Sequence, residues 1–349
     1  MIAIDFYCGA GGLTRGLLNA GIHVRLGVDS NEAYRDTYEL NNAPAKFLFK
    51  NIRNLSFEEI EACIEKVDTR DLLFAACAPC QPFAKINKSR SRKDEATLLS
   101  QFGRFVERFQ PDQVFVENVP GLAKVRGRST YRRFLGLLTN LGYNICGGVL
   151  DAKDFGVPQT RRRLIIIAMK KIVPTLPAQT HGPKLIAYET VENAIRAYPP
   201  IKAGESHSGI ANHQAARLSP KNIERLRHTR TNGGNRTGWP RKLWLKCHKN
   251  GHEGHTDVYG RMFWHRPAPA LTCKCLSLSN GRYGHPSQNR AISLREAARL
   301  QSFGDDYIFY GDSQNNLATQ VGNAVPVKLA EVIGKHILSL RQEGPPSKK

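Results

Sequence analysis

The feature that most limits what this chain can fold into is an alternation running through its first half. Short apolar runs, each the length of a strand, recur between helical stretches, which is the pattern of a parallel, doubly wound α/β sheet. The runs predict strands at residues 2–5, 24–29, 72–76, 114–117, 145–150 and 164–168. Helices are expected at 13–19, 31–41, 57–66 and 101–109, and again at 293–303 and 326–340. In open sheets of this kind ligands bind beyond the carboxyl ends of the strands. Polar clusters at those ends are therefore the first place to look for chemistry.

From about residue 184 to 261 the texture changes. Apolar periodicity weakens, and Arg225, Arg227, Arg230, Arg236, Arg241, Lys242, Lys246 and Lys249 come interleaved with Trp239 and Trp244. This predicts a second, smaller, loop-rich domain over 181–316. Residues 1–180, completed by 317–349, form the first. A chain of 349 residues has room for both. Lys and Arg total 51 against 30 Asp and Glu, a net charge of +21. That excess is the footprint of a polyanion binder, and basic groups with aromatic neighbours suit phosphates and base edges. Eight cysteines spread over the chain indicate reduced thiols rather than a disulfide framework. The longest apolar run, 164–169, is too short to cross a bilayer, and the first residues enter a core strand without a signal peptide. The expected compartment is the cytoplasm.

The first strand leads into Asp5-Phe6-Tyr7-Cys8-Gly9-Ala10-Gly11-Gly12 and then a helix. Glycines let the backbone approach a ligand, and a helix N-terminus offers free N–H groups. A dinucleotide fingerprint would need glycine at position 14, where Thr14 stands, so the turn suits a smaller nucleoside-bearing ligand. Asp29, ending the next strand, can accept both ribose hydroxyls. A structural glycine turn with an aspartate helix cap explains the same residues.

Cys77-Ala78-Pro79-Cys80-Gln81-Pro82-Phe83 follows the strand at 72–76, and Lys85, Lys88, Arg90, Arg92 and Lys93 follow at once. Two prolines fix the loop around Cys80, and nearby positive charge favours a thiolate. A C-x-x-C pair can also be redox-active or half a metal site. Pro82 stands where the helix of a redox motif would begin, and no second pair lies at zinc-finger spacing. A packed structural cysteine is the ordinary alternative. Val116-Glu117-Asn118-Val119-Pro120-Gly121 ends a strand on a carboxylate, and Gln159-Thr160-Arg161-Arg162-Arg163 opens the last strong strand. Each is also explained by an ordinary ion pair or a solvated basic edge.

Together these groups have a chemical logic. A thiolate added at carbon 6 of cytosine makes carbon 5 nucleophilic toward a methyl sulfonium. A carboxylic acid at ring N3 and an arginine at O2 stabilise the developing charge, tasks that Glu117 and Arg163 fit. A stacked base cannot reach Cys80, so it must be flipped out of the duplex.

The ordered motifs resemble the bacterial DNA (cytosine-5-)-methyltransferase family, of the restriction–modification type, over nearly the whole chain. The resemblance implies a Rossmann-like S-adenosylmethionine-dependent methyltransferase sheet with a loop-rich DNA-recognition domain. It implies catalytic roles for Cys80, Glu117, Arg161 and Arg163. Asp5, Tyr7, Cys8, Gly9, Gly11, Gly12, Asp29, Asn51, Ile52, Pro79, Leu98, Asn323 and Val325 are the implied cofactor-binding residues. Gln81, Lys85, Lys88, Gln159, Arg225, Arg227, Arg230, Arg241, Lys242 and Arg290 are the implied DNA-binding ones. The partners implied are double-stranded DNA and a separate cognate restriction endonuclease, with the enzyme acting as a monomer.

Three positions depart from the family pattern. Asn51 replaces an acid that holds the adenine amino group, and its amide oxygen can still accept that bond. Tyr7 replaces a phenylalanine, adding a hydroxyl at the adenine edge. Ala84 replaces a serine in the cysteine loop. Cys247, His248, His252 and His255, with Cys273 and Cys275, have ligand chemistry for zinc. Residues 271–276 look like a strand, however, and DNA-contacting loops explain the cluster without a metal. An RNA cytosine methyltransferase and a catalytically silent DNA binder are the competing functions.

Overall fold

In a computed structural model the described residues are 1–79, 97–124, 129–249 and 257–343. They fall into two compact units, one comprising Met1–Phe155, Arg162–Gln179 and Val325–Lys349, the other Gly156–Arg161 and Thr180–Ala324. The boundary predicted at residue 317 falls inside the helix Gln314–Asn323, which belongs to the second unit.

The first unit is built on a seven-stranded sheet: β1 (Ile2–Phe6), β2 (His23–Asp29), β3 (Lys46–Phe49), β4 (Leu72–Ala76), β5 (Gln113–Asn118), β6 (Asn144–Asp151) and β7 (Arg162–Met169). Their order across the sheet is β3-β2-β1-β4-β5-β7-β6. The first five pair in parallel. β7 runs antiparallel to both β5 and β6, which corrects the all-parallel expectation. β4 and β5 are buried along their whole length, as strands covered on both faces must be.

The helices are α1 (Gly12–Asn19), α2 (Arg35–Asn42), α3 (Phe57–Ile64), α4 (Leu98–Phe109) and α5 (Thr130–Asn140). The stretch predicted as one helix over 31–41 begins as a single 3-10 turn, Glu32–Tyr34, before α2. Helix starts follow local chemistry: Ser56 and Glu59 form a reciprocal capping box at α3, and Ser129 caps α5. One face of the sheet buries a cluster in which Phe6 meets Phe74 and Phe102 edge-on, with ring centroids 5.2 Å apart in both pairs. Elsewhere α1 packs on the closing helix, Val327–Glu343. Gly16 permits that approach, since a Cβ there would lie 2.4 Å from Ala330 Cβ and 2.6 Å from Val327 O.

The second unit has short helices, turns and, among the described residues, only isolated β-bridges. Residues 271–276 form turns closed by Cys275 N–H to Thr272 O rather than the expected strand. Cys275 is consequently buried and Cys273 exposed, so the two do not share a face.

Candidate active site

The topology explains how the candidate residues of the first unit meet. β1, β2, β4 and β5 are mutually parallel, so their carboxyl ends share one edge of the sheet. Because β7 is antiparallel, its beginning lies at that same edge, with Glu117 opposite Ile165 and Asn118 opposite Leu164. Arg163, one residue earlier, thereby reaches Glu117.

At the end of β1 the loop is tied down by its backbone. Tyr7 and Cys8 N–H groups both donate to Val28 O, at 2.8 and 3.1 Å. Gly9 and Gly11 have φ of 52° and 88°, conformations that favour glycine. A Cβ on Gly9 would meet nothing within 4 Å, so the glycine is required by backbone angle, and open space remains over the loop. Asp29 Oδ2 accepts from Gly9 N–H at 2.9 Å and Oδ1 from Asn31 N–H at 3.0 Å. Asp5 is fully buried, and its Oδ2 accepts from Thr14 Oγ1 at 2.7 Å while Oδ1 has no protein partner. Burial pushes the Asp5 carboxyl up to about 7, and it also raises Asp29. Thr14, noted in the sequence only for not being glycine, is thus what holds Asp5.

Other predicted cofactor residues are already engaged. The Tyr7 hydroxyl donates to Leu98 O at 2.7 Å, which joins two of the predicted cofactor residues. Asn51 Oδ1 accepts from Arg53 N–H at 3.0 Å in a local turn. Ile52 is buried and its carbonyl accepts from Arg104. Cys8 and Gly12 are buried, while Pro79 is exposed where the described chain stops. Val325 is buried in the first unit, and Asn323 is exposed in the second.

Glu117 is the best-defined acid. Its side chain is 3% exposed, and Oε1 lies 2.8 Å from Arg163 Nε. Oε2 accepts from Cys77 Sγ at 2.8 Å. Next to it, Asn118 Nδ2 donates to Ala78 O at 3.0 Å, and its Oδ1 accepts from Val119 N–H. β5 therefore holds the segment leading toward position 80. Neither Cys77 nor Asn118 was assigned a role from sequence, although Asn118 adjoins the acid in the motif. Cys80, Gln81, Ala84, Lys85, Lys88 and the basic run through Lys93 lie outside the described residues.

Arg161 is a buried side chain. It belongs to the second unit, is 2% exposed, and spends its guanidinium on the carbonyls of Leu271, Gly322 and Ala324. The guanidinium is thus a backbone clamp within its own unit. Gln159 is fully buried against Leu300 O, Gln301 and Leu271 N–H. Arg225 is buried between the Trp239 and Tyr259 rings and donates to Leu243 O. Arg290 has no exposed surface and grips Glu296 with two 2.7 Å bonds. Gln159 and Arg290 thus have no exposed surface and Arg225 keeps 7%. Arg227, Arg230, Arg241 and Lys242 are exposed, the last 3.3 Å from Glu224. Trp239 is core, its indole donating to Thr229 Oγ1, whereas Trp244 is 37% exposed. His252 and His255 lie outside the described residues. Among those described, His248 is buried and Cys247 exposed, and no group of three metal-ligating side chains gathers. No helix among the described residues is long and apolar enough to cross a membrane.

A family model for the C-5 cytosine-specific DNA methylases matches residues 1–339. The chain belongs to that family. Among its relatives, the Type II methylase M.HgiDII of Herpetosiphon aurantiacus is 37% identical, over 96% of this chain and 94% of its own. The Type II methyltransferase M1.HphI of Haemophilus parahaemolyticus is 33% identical, over 97% and 86%. A crystal structure of a prophage-encoded candidate DNA modification methyltransferase from E. coli superposes with a TM-score of 0.77 at 22% identity, covering 98% and 99% of the two chains. A Spodoptera frugiperda DNMT2 variant gives 0.63 at 16%, covering 97% and 98%. At those identities the structures speak to the fold alone, a methyltransferase-type mixed sheet. This chain is therefore a C-5 cytosine-specific DNA methylase, with DNA as its substrate.

Proposed function

We propose that the enzyme transfers a methyl group from S-adenosylmethionine to carbon 5 of a flipped-out cytosine within a short duplex sequence, through covalent addition of Cys80 at carbon 6. The observation that carries this reading is Glu117, fixed between Arg163 and Cys77 at the edge where β4 delivers the cysteine loop.

The cofactor fits the loop after β1. Open space above Gly9, the unpartnered Asp5 Oδ1 and the strand-end carboxylate of Asp29 offer a nucleoside both room and acceptors. Asp29 would take the ribose hydroxyls, and the loop from Tyr7 to Gly12 would lie against the amino-acid part. Bound there, S-adenosylmethionine supplies an electrophilic methyl carbon.

The chain's own groups do the rest. The Cys80 sulfur bonds to carbon 6, and the electron pair of the C5–C6 bond becomes available at carbon 5. Glu117 holds a proton at ring N3, so charge from the addition does not accumulate on the ring. Arg163 keeps Glu117 in place and offers a cation near ring O2. After transfer, loss of the carbon 5 proton expels the thiolate and restores the ring. Exposed Arg227, Arg230, Arg241 and Lys242 supply phosphate contacts from the second unit, with Lys85 and Lys88 from the cysteine loop. The biological role is protective methylation beside a separate endonuclease, with the enzyme acting as a cytoplasmic monomer.

Bisulfite sequencing of DNA from cells expressing the protein tests this directly. The expected result is 5-methylcytosine at one position of one short motif, absent with Cys80→Ser. Unmodified DNA alongside labelled RNA would reject the reading.

A further inference from the structure

The Glu117 carboxylate is held by two groups of different kinds. Arg163 is a cation whose Nε contacts Oε1 at 2.8 Å. A contact at one oxygen acts as a pivot, because the terminal torsion of a glutamate is broad and the carboxyl plane can turn about it. The second contact removes the freedom: Cys77 Sγ donates to Oε2, also at 2.8 Å. One oxygen is then committed to a cation and the other faces a neutral donor. Oε2 is the oxygen left to exchange its partner when a base arrives.

Cys77 is suited to stay a donor. Loss of solvent around the sulfur pushes the thiol well above its usual range, and the Glu117 carboxylate beside it pushes further in the same direction. A thiol so placed is inert as a nucleophile but keeps its proton for the carboxylate. Its backbone is fixed as well. Cys77 N–H donates to Phe6 O at 3.2 Å, and the next residue, Ala78, accepts from Asn118 at 3.0 Å. The segment that leads to Cys80 is thus joined once to β1 and twice to the strand that carries Glu117, all within two residues. Only the Sγ contact touches the acid itself.

We propose that Cys77 is a positioning residue for Glu117: its S–H fixes the plane of the carboxyl group and holds Oε2 until cytosine N3 takes that place, with a proton taken up from solvent shared between Oε2 and N3. The proposal rests on Glu117 acting as the acid at ring N3. It gives the first cysteine of the C-x-x-C pair a role that is neither redox chemistry nor metal binding. Two residues separate it from the nucleophile, so one segment of sequence carries both the attacking sulfur and the group that orients the acid.

A hydroxyl can replace the thiol as donor, whereas a methyl group cannot, and both substitutions remove the sulfur. Single-turnover methyl transfer is read with tritiated S-adenosylmethionine and unmethylated plasmid DNA for wild type, Cys77→Ser, Cys77→Ala and Glu117→Gln. Binding of the same DNA and thermal melting are measured in parallel. Cys77→Ala is expected to slow transfer by about 10-fold or more, as loss of a hydrogen bond to a charged group does. Cys77→Ser should stay within about threefold of wild type, and DNA binding should be unchanged in both. Equal losses in the two cysteine variants, or none in either, would overturn the proposal in favour of simple packing.

A double variant guards against a folding defect. In the Glu117→Gln background, Cys77→Ala should cause no further loss, because the two residues act on one interaction. Full additivity of the two losses would contradict it. If Glu117→Gln itself transfers at the wild-type rate, the acid assignment falls. If Glu117→Gln is slow and Cys77→Ala is not, only the role of Cys77 falls.

Discussion

Replacing Glu117 with glutamine should lower single-turnover methyl transfer by roughly 10²–10⁴-fold, the range typical of a lost general acid. The substitution isolates chemistry from architecture. Glutamine has the same shape, its amide oxygen can still accept from Arg163, and β5 keeps its register with β7. What disappears is a group able to hold a proton toward a ring nitrogen while its charge is balanced by a guanidinium. Binding of DNA and of cofactor should therefore change little, placing the defect in the rate rather than in affinity. A transfer rate within tenfold of wild type would show that the acid is dispensable.

The second large effect concerns the other unit. Glu296 and Arg290 are buried together, with two 2.7 Å bonds between them, and Glu296 also accepts from Ser293 N–H to cap the helix Leu294–Leu300. Burial raises the Glu296 carboxyl, but Arg290, His285 and the Ser293 N–H outweigh it and leave the group below its ordinary value. Glu296→Ala takes the counter-charge from a guanidinium that has no exposed surface and leaves it only the neutral acceptors Ile201 O, Gln288 and Ala291 O. Breaking a buried pair from one side costs roughly 3–5 kcal/mol. Chemical denaturation should show that loss, and replacing both partners with Leu and Met should recover most of it. A loss under about 1 kcal/mol for Glu296→Ala would mean that water or a neighbouring group already satisfies Arg290.

What could be recognised in the chain follows from how each signal is written in residues. β1, β2, β4 and β5 are legible because continuous apolar runs that end on turns have no other common explanation. Glu117, Arg163 and Asp29 are legible because charged groups end or open such runs. The direction of β7 is not legible, since Leu-Ile-Ile-Ile-Ala looks the same read either way. Yet that direction is what brings Arg163 to the carboxyl edge of the sheet. β3 escapes detection because it is four residues long and begins with Lys46.

Buried arginines mislead for a different reason. A unit made of turns leaves many carbonyls without partners in helices or sheets, and buried carbonyls require donors. The guanidinium provides five N–H groups on one plane. Arg261 accordingly donates to the carbonyls of Leu226, Thr229 and His285, and Arg295 to those of Ala211, Gly304 and Tyr307. Arg225 and Arg290 are indistinguishable in sequence from exposed Arg227 and Arg230, so composition overstates the basic surface. The Cys77–Glu117 contact spans 40 residues and leaves no mark on local spacing.

The central claim, a covalent cysteine mechanism aimed at cytosine, is tested most directly by trapping. Carbon 5 of 5-fluorocytosine cannot lose fluorine as it loses a proton, so an enzyme that has added to carbon 6 and transferred its methyl group stays attached. Plasmid-derived duplexes made with 5-fluorodeoxycytidine triphosphate are incubated with enzyme and S-adenosylmethionine, then denatured, and the protein is digested and mapped. The account predicts a denaturation-resistant adduct on the peptide containing Cys80, dependent on the cofactor and absent from Cys80→Ser. Methyl transfer to ordinary DNA without any adduct on the fluorinated duplex, or an adduct carried by Cys77, would contradict it.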